Sequence, residues 1–166
     1  MTVYAEKKCN NSYNISKKLD ELGLILPPVP DAAGKYIPFT VINNMVYINQ
    51  IALKDGQIKH PGKIGLNVSE EQASDETKQT AINIISVLNK ATDGNLNRVE
   101  RVVQLTGIFN TTENFERHAD IMNSASELMI LLFGENGKHT RATYGAVSLP
   151  LNSTVEIQAI FSLCDI

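Results

Sequence analysis

Thr140-Arg-Ala-Thr-Tyr-Gly-Ala-Val-Ser-Leu-Pro-Leu-Asn-Ser-Thr-Val-Glu-Ile-Gln-Ala-Ile160 reads as two strands joined by a turn. Arg141 to Leu149 is rich in small and β-branched residues, Pro150-Leu-Asn-Ser punctuates, and Val155 to Leu163 resumes an extended pattern. Strand side chains alternate with period two, so Val155, Ile157, Ala159, Phe161 and Leu163 share one face. Glu156, Gln158 and Ser162 share the other face with Ile160. Glu156 is thus an acid set in an apolar run, and Arg141 a base that opens the partner strand. Charges at such positions are ordinarily solvated.

Upstream of this stretch the pattern changes to helical. Ser69 and Gln72 have capping-box spacing, and Ala73, Thr77, Ala81, Ile84, Ile85, Leu88 and Ala91 form one stripe of a long helix that ends at Asp93-Gly94. Arg98 to Phe109 reads as a strand with a solvated, charged start. A second long helix covers Glu113 to Phe133, with Phe115, Ala119, Met122, Ala125, Ser126, Met129, Leu132 and Phe133 on its buried side. Phe39 to Asn43 and Met45 to Ile51 read as strands joined at Asn43-Asn44, a pair suited to a tight hairpin. The order strands, helix, strand, helix, strand, strand predicts an α+β fold, a mixed β-sheet with two long helices packed on one face.

The N-terminal part reads as an extension, residues 1–23, before a domain over 24–166. Within it Asn14 to Leu22 predicts a short helix, with Ile15, Leu19 and Leu22 on one side and Gly23 as its stop. Leu26-Pro-Pro-Val-Pro-Asp-Ala-Ala-Gly then forms an extended or turning connector.

Composition narrows the function classes. The net charge is −3 and no block of lysine or arginine occurs, which argues against a nucleic-acid partner. No apolar run approaches membrane-spanning length, and the N-terminus has no apolar segment of the secretory kind. The two cysteines, Cys9 and Cys164, have no metal-finger or CxxC spacing. Two reduced thiols in a cytoplasmic protein are the simpler expectation. His60, His118 and His139 are scattered. His118, among charges on a helix, is expected at the surface, and His139 at a cleft rim or in a loop. There is no HExxH and no Gly-rich phosphate fingerprint, so no metal and no cofactor are expected.

Arg141, followed by Leu149-Pro150 and Val155-Glu-Ile-x-Ala-Ile160, resembles the C-terminal signature of the reactive-intermediate deaminase family (RidA/YjgF, once called L-PSP endoribonucleases). The likeness extends over roughly Leu24 to Leu163. It includes Gly34-Lys-Tyr36, Gln-Thr-Ala-Ile-Asn-Ile-Ile-Ser-Val-Leu on the first long helix, and Phe133-Gly-Glu-x-Gly-x-His-x-Arg141, which is similar to a longer branch of that family. The resemblance implies a chorismate-mutase-like fold assembled as a ring of three, with a ligand cleft between subunits. It implies hydrolysis of reactive enamine and imine acids of the 2-aminoacrylate type to 2-oxo acids and ammonia. Arg141 would hold the substrate carboxylate through a planar fork, Glu156 would position water and move the proton, and Tyr36 and Thr143 would line the site.

Three positions depart from the family pattern. Thr143 stands where many relatives carry cysteine. Ile48-Asn49-Gln50 replaces Ser-Gly-Gln, so a side chain crowds a place where glycine lets backbone approach. An asparagine on the second long helix reaches the site in many relatives, and both Asn123 and Ser126 could take that place. A non-catalytic trimer that binds small carboxylates is the alternative to the hydrolase, and an endoribonuclease is a third reading.

Overall fold

The computed structural model describes residues 14–29 and 34–164. In chain order the elements are α1 (Ile15–Glu21), β1 (Phe39–Ile42), β2 (Met45–Ile51), α2 (Glu70–Ala91), β3 (Val99–Asn110), α3 (His118–Phe133), β4 (Thr140–Ala146) and β5 (Val155–Leu163). The five strands form one sheet in the order β1-β2-β5-β3-β4. Only β3 and β4 run parallel, and α3 connects them; the other pairs are antiparallel. This is the α+β, chorismate-mutase-like arrangement.

Local chemistry accounts for the elements. Asn43 and Asn44 both have positive φ (48° and 61°), the conformation a two-residue hairpin requires and asparagine tolerates. At the start of α2 the Ser69 hydroxyl accepts from Gln72 N–H at 3.2 Å, and the Gln72 side-chain oxygen Oε1 accepts from Ser69 N–H at 2.9 Å. That reciprocal cap stops α2 from unravelling at its first turn. The helix α3 begins at His118, five residues later than the periodicity predicts. Thr112 and Phe115 close a turn (N–H to carbonyl, 3.2 Å), which spends those backbone groups before a helical ladder can start. Likewise β4 stops at Ala146, not Leu149. The Val147 carbonyl accepts from the Lys63 ammonium and leaves the ladder, and Pro150 then opens a 3-10 turn.

The helices cover one face of the sheet, α2 over β1, β2 and β5, and α3 over β3 and β4. Between them and the sheet lie Ala81, Ile84, Leu88, Leu105, Phe109, Met122, Met129, Leu132, Ile157 and Phe161, each buried to 1% exposure or less. Emptying one large position, as in Phe161→Ala, costs about 3–5 kcal/mol in cores of this kind. Ile15 and Leu19 of α1 are buried in the same core. Among the described residues, no helix packs on the opposite face of the sheet. There Ile42 is 56% exposed, Tyr144 49% and Tyr47 45%.

Cys164 is disulfide-bonded, which corrects the expectation of two reduced thiols. The chain's other cysteine, Cys9, lies outside the described residues, as do the first 13 positions and the connector residues Pro30 to Ala33.

Gly137, in the turn between α3 and β4, is buried against the end of α3. A Cβ there would overlap the Met129 carbonyl oxygen and lie 2.8 Å from Ile130 Cα, both backbone atoms that cannot swing away. Gly137→Ala is therefore expected to cost about 1–3 kcal/mol. A melting temperature equal to that of the unsubstituted protein would show that this turn yields freely.

Candidate functional site

Arg141 and Glu156 lie on opposite faces of the sheet. Arg141 is in register with Leu105, and Leu105 with Ala159, so its side chain leaves β4 on the helix-covered side. Glu156 is in register with Ile51 on one neighbour and Ile108 on the other, on the open face. Each therefore has its own set of neighbours, with the sheet between them.

On the helix side, α3 presents Ala119, Asn123 and Ser126 at i, i+4 and i+7, one stripe that faces the edge strand. The Arg141 guanidinium spans it. Nη1 donates to Asn123 Oδ1 at 2.9 Å and to Ser126 Oγ at 3.1 Å, and Nη2 donates to the Ala119 carbonyl at 3.2 Å. A guanidinium has five N–H donors, so Nε–H and one Nη2–H are left over. Arg141 forms no ion pair among the described residues. Two unengaged donors on a held cation are what a planar carboxylate takes in a bidentate bond. Thr143 follows two residues along on the same side, half-buried, in register with Gly107.

On the open face Glu156 is joined to the neighbouring strand. Its Oε1 accepts from Asn49 Nδ2 at 2.6 Å. Asn49 is in turn in register with Gln158. Beside them is a cavity of about 340 Å³ lined by Tyr36, Thr40, Tyr47, Asn49, Gln158 and Ile160. Tyr36 is 62% exposed. The predicted pair Tyr36 and Glu156 is thus brought to one face, and the pair Arg141 and Thr143 to the other.

The family described as "YjgF/chorismate_mutase-like, putative endoribonuclease" matches residues 16–163. The chain belongs to the RidA/YjgF family. Among its relatives, protein TCP17 of Trypanosoma cruzi is 27% identical over 154 residues, which is 92% of this chain and 96% of that one. The Agrobacterium tumefaciens protein Atu1372, of unknown function, is 34% identical with a TM-score of 0.82 over 90% of this chain and 91% of its own. A Shewanella oneidensis protein, to which the last two words of the family description also apply, is 26% identical with a TM-score of 0.86, covering 90% and 99%.

Asn123 and Ser126, the two residues the sequence leaves as candidates on this helix, both accept from Arg141. Their spacing of three on a helix was the available signal. The prediction that Ala119 and Ser126 belong to the core stripe is corrected: both lie against Arg141, Ala119 exposed and Ser126 half-buried. In Ile48-Asn49-Gln50, the pleat sends Ile48 into the core at 4% exposure and puts Asn49 on the open face. The side chain that replaces glycine is the one that bonds the acid.

His118 is not the surface residue its charged neighbours predict. Its ring is half-buried, 5.1 Å from the Phe115 ring and 6.1 Å from Phe109, and Nε2 is buried without a hydrogen-bond partner among the described residues. A nearby cavity of about 670 Å³ also borders Lys63, which sequence reasoning missed. The Lys63 ammonium donates to Asn110 Oδ1, the Thr111 carbonyl and the Val147 carbonyl at 2.8, 3.1 and 2.6 Å. All three of its donors are spent tying the ends of β3 and β4 to the preceding loop. Among the described residues no group of three or more His, Cys, Asp or Glu could hold a metal ion, and no helix is long and apolar enough to cross a membrane.

Proposed function

We propose that the chain hydrolyses small reactive enamine and imine acids of the 2-aminoacrylate type to 2-oxo acids and ammonia. The site is a cleft between subunits of a homotrimer. The observation that carries this reading is the Arg141 guanidinium, clamped by α3 with two donors left for a carboxylate.

The chemistry follows from the two half-sites. The substrate carboxylate binds Nε–H and Nη2–H of Arg141, which fixes the adjacent imine carbon. In the imine tautomer, Glu156 from a neighbouring copy accepts a proton from water as the oxygen attacks that carbon and returns it to the imine nitrogen, giving a neutral carbinolamine. The same carboxylate then takes the hydroxyl proton and delivers it to nitrogen as the C–N bond breaks, so that ammonia leaves and the 2-oxo acid forms. Water is the nucleophile, so Thr143 in place of cysteine costs the reaction nothing. Tyr36 forms a wall of the half-site that holds Glu156.

A second copy is needed because the sheet separates Arg141 from Glu156 within one chain. The apolar open face, with Ile42, Tyr47 and Tyr144 exposed, suits burial against other copies. Sedimentation equilibrium is expected to give three times the mass of the chain. A monomer at micromolar concentration would remove the shared-cleft reading.

The primary test is ammonia and 2-oxo acid release from freshly generated 2-aminoacrylate. Acceleration over the spontaneous rate supports hydrolysis. One observation favours the alternative of a carboxylate-binding trimer without turnover: Asn49 engages one oxygen of Glu156 at 2.6 Å. An inert protein that still binds pyruvate would select that alternative. The endoribonuclease reading asks for a basic track, and the chain carries a net charge of −3.

A further inference from the structure

His139 sits two residues before Arg141 in β4's approach, and its two ring nitrogens are both engaged. Nδ1 is 2.6 Å from the Gly137 carbonyl, and Nε2 is 3.0 Å from Ser126 Oγ. A carbonyl can only accept, so Nδ1 carries a hydrogen. Burial holds the imidazole below its ordinary proton affinity; the Gly137 carbonyl opposes this, and the nearby Arg141 charge adds to it. The ring is then neutral and Nε2 has a free lone pair. The Ser126 hydroxyl donates its hydrogen to that lone pair, which turns a lone pair of Oγ towards Arg141 Nη1 at 3.1 Å.

We infer that His139, acting through Ser126, is a positioning residue that sets the orientation of the Arg141 guanidinium. The sequence Gly137 carbonyl, His139, Ser126, Arg141 is a directed chain of hydrogen bonds, in which each group's role is decided by the one before it. Without the imidazole the Ser126 hydroxyl rotor is free to point its hydrogen elsewhere, and its lone pair is no longer held for Nη1. The guanidinium then keeps Asn123 and the Ala119 carbonyl but loses the third point that defines its plane. This inference rests on the proposed carboxylate role of Arg141 for its functional consequence, though not for its geometry.

Two substitutions separate the contacts. His139→Gln can still accept from Ser126, because its amide oxygen reaches the place of Nε2. His139→Asn is too short to do so, and can replace only the bond to Gly137. Nitrogen-15 spectra of the ligand-free protein are the first readout. Wild type is expected to show Nδ1 protonated and Nε2 unprotonated on His139, with separate Nη resonances for Arg141 from restricted rotation. His139→Gln should retain those Arg141 resonances, whereas His139→Asn and Ser126→Ala should merge them. The second readout is pyruvate affinity, expected to weaken about tenfold in His139→Asn and in Ser126→Ala, and by less than about threefold in His139→Gln.

Arg141 resonances unchanged in both His139→Asn and Ser126→Ala would overturn the inference. So would equal affinity losses in the Gln and Asn variants. If wild type bound no pyruvate, the proposed function would fail, while the Arg141 spectra would still decide whether His139 orients the guanidinium.

Discussion

Arg141→Ala is expected to weaken the binding of pyruvate and other small 2-oxo acids at least about a hundredfold, with the assembly unchanged. The magnitude comes from two charge-assisted hydrogen bonds lost together, each about 1.5–3 kcal/mol. The assembly should persist because the guanidinium is exposed and binds only one helix of its own chain. Asn123 Oδ1 and the Ala119 carbonyl that it leaves behind can be hydrated, so the cost to stability is small. Arg141→Lys should recover little, since an ammonium cannot bond Asn123, Ser126 and Ala119 while presenting a planar pair of donors to a ligand. Calorimetric titration with pyruvate, alongside sedimentation of each variant, checks this. Wild-type affinity in Arg141→Ala would place the carboxylate site elsewhere.

Glu156→Ala is expected to lower the rate of 2-aminoacrylate hydrolysis by about 10²–10⁴ while changing pyruvate affinity by only a few-fold. The separation follows from geometry: in the proposed reaction binding uses the helix side of β4, and proton transfer uses the open face of β5. The same geometry makes a stronger demand. Arg141→Ala and Glu156→Ala homo-oligomers should each be inactive, yet unfolding and reassembling the two together should restore activity. Random mixing in a cyclic assembly leaves about one quarter of the shared sites with both residues. Recovery near that level is the expected result. No recovery, with mixed oligomers demonstrated by mass, would mean that the two residues never meet across an interface.

Much of the fold was legible because it is governed by local chemistry. The Ser69 and Gln72 cap, the Ala73 to Leu88 stripe and the alternation from Val155 to Leu163 depend on nearest-neighbour geometry, and each appears in the structure at its predicted place. The misplaced boundaries had non-local causes: Lys63 draws the Val147 carbonyl out of β4 from 84 residues away. His118 was misjudged for the same reason. Its charged neighbours in sequence say nothing of Phe109, which reaches it from β3.

For the site, primary structure alone specifies which groups are present: a guanidinium and a carboxylate at family spacing, an asparagine where relatives have glycine, and a histidine two residues before the arginine. Strand periodicity also assigned Glu156 its face. Only the tertiary structure decided that Arg141 and Glu156 point to opposite sides, because that depends on which strand lies beside which, and β5 inserts between β2 and β3 rather than following β4. Tertiary packing also brings Asn123 and Ser126 onto one cation, with His139 behind Ser126. Helix α3 and strand β4 must pack before residues 13 to 22 positions apart can share a hydrogen-bond network, and no local preference encodes that distance.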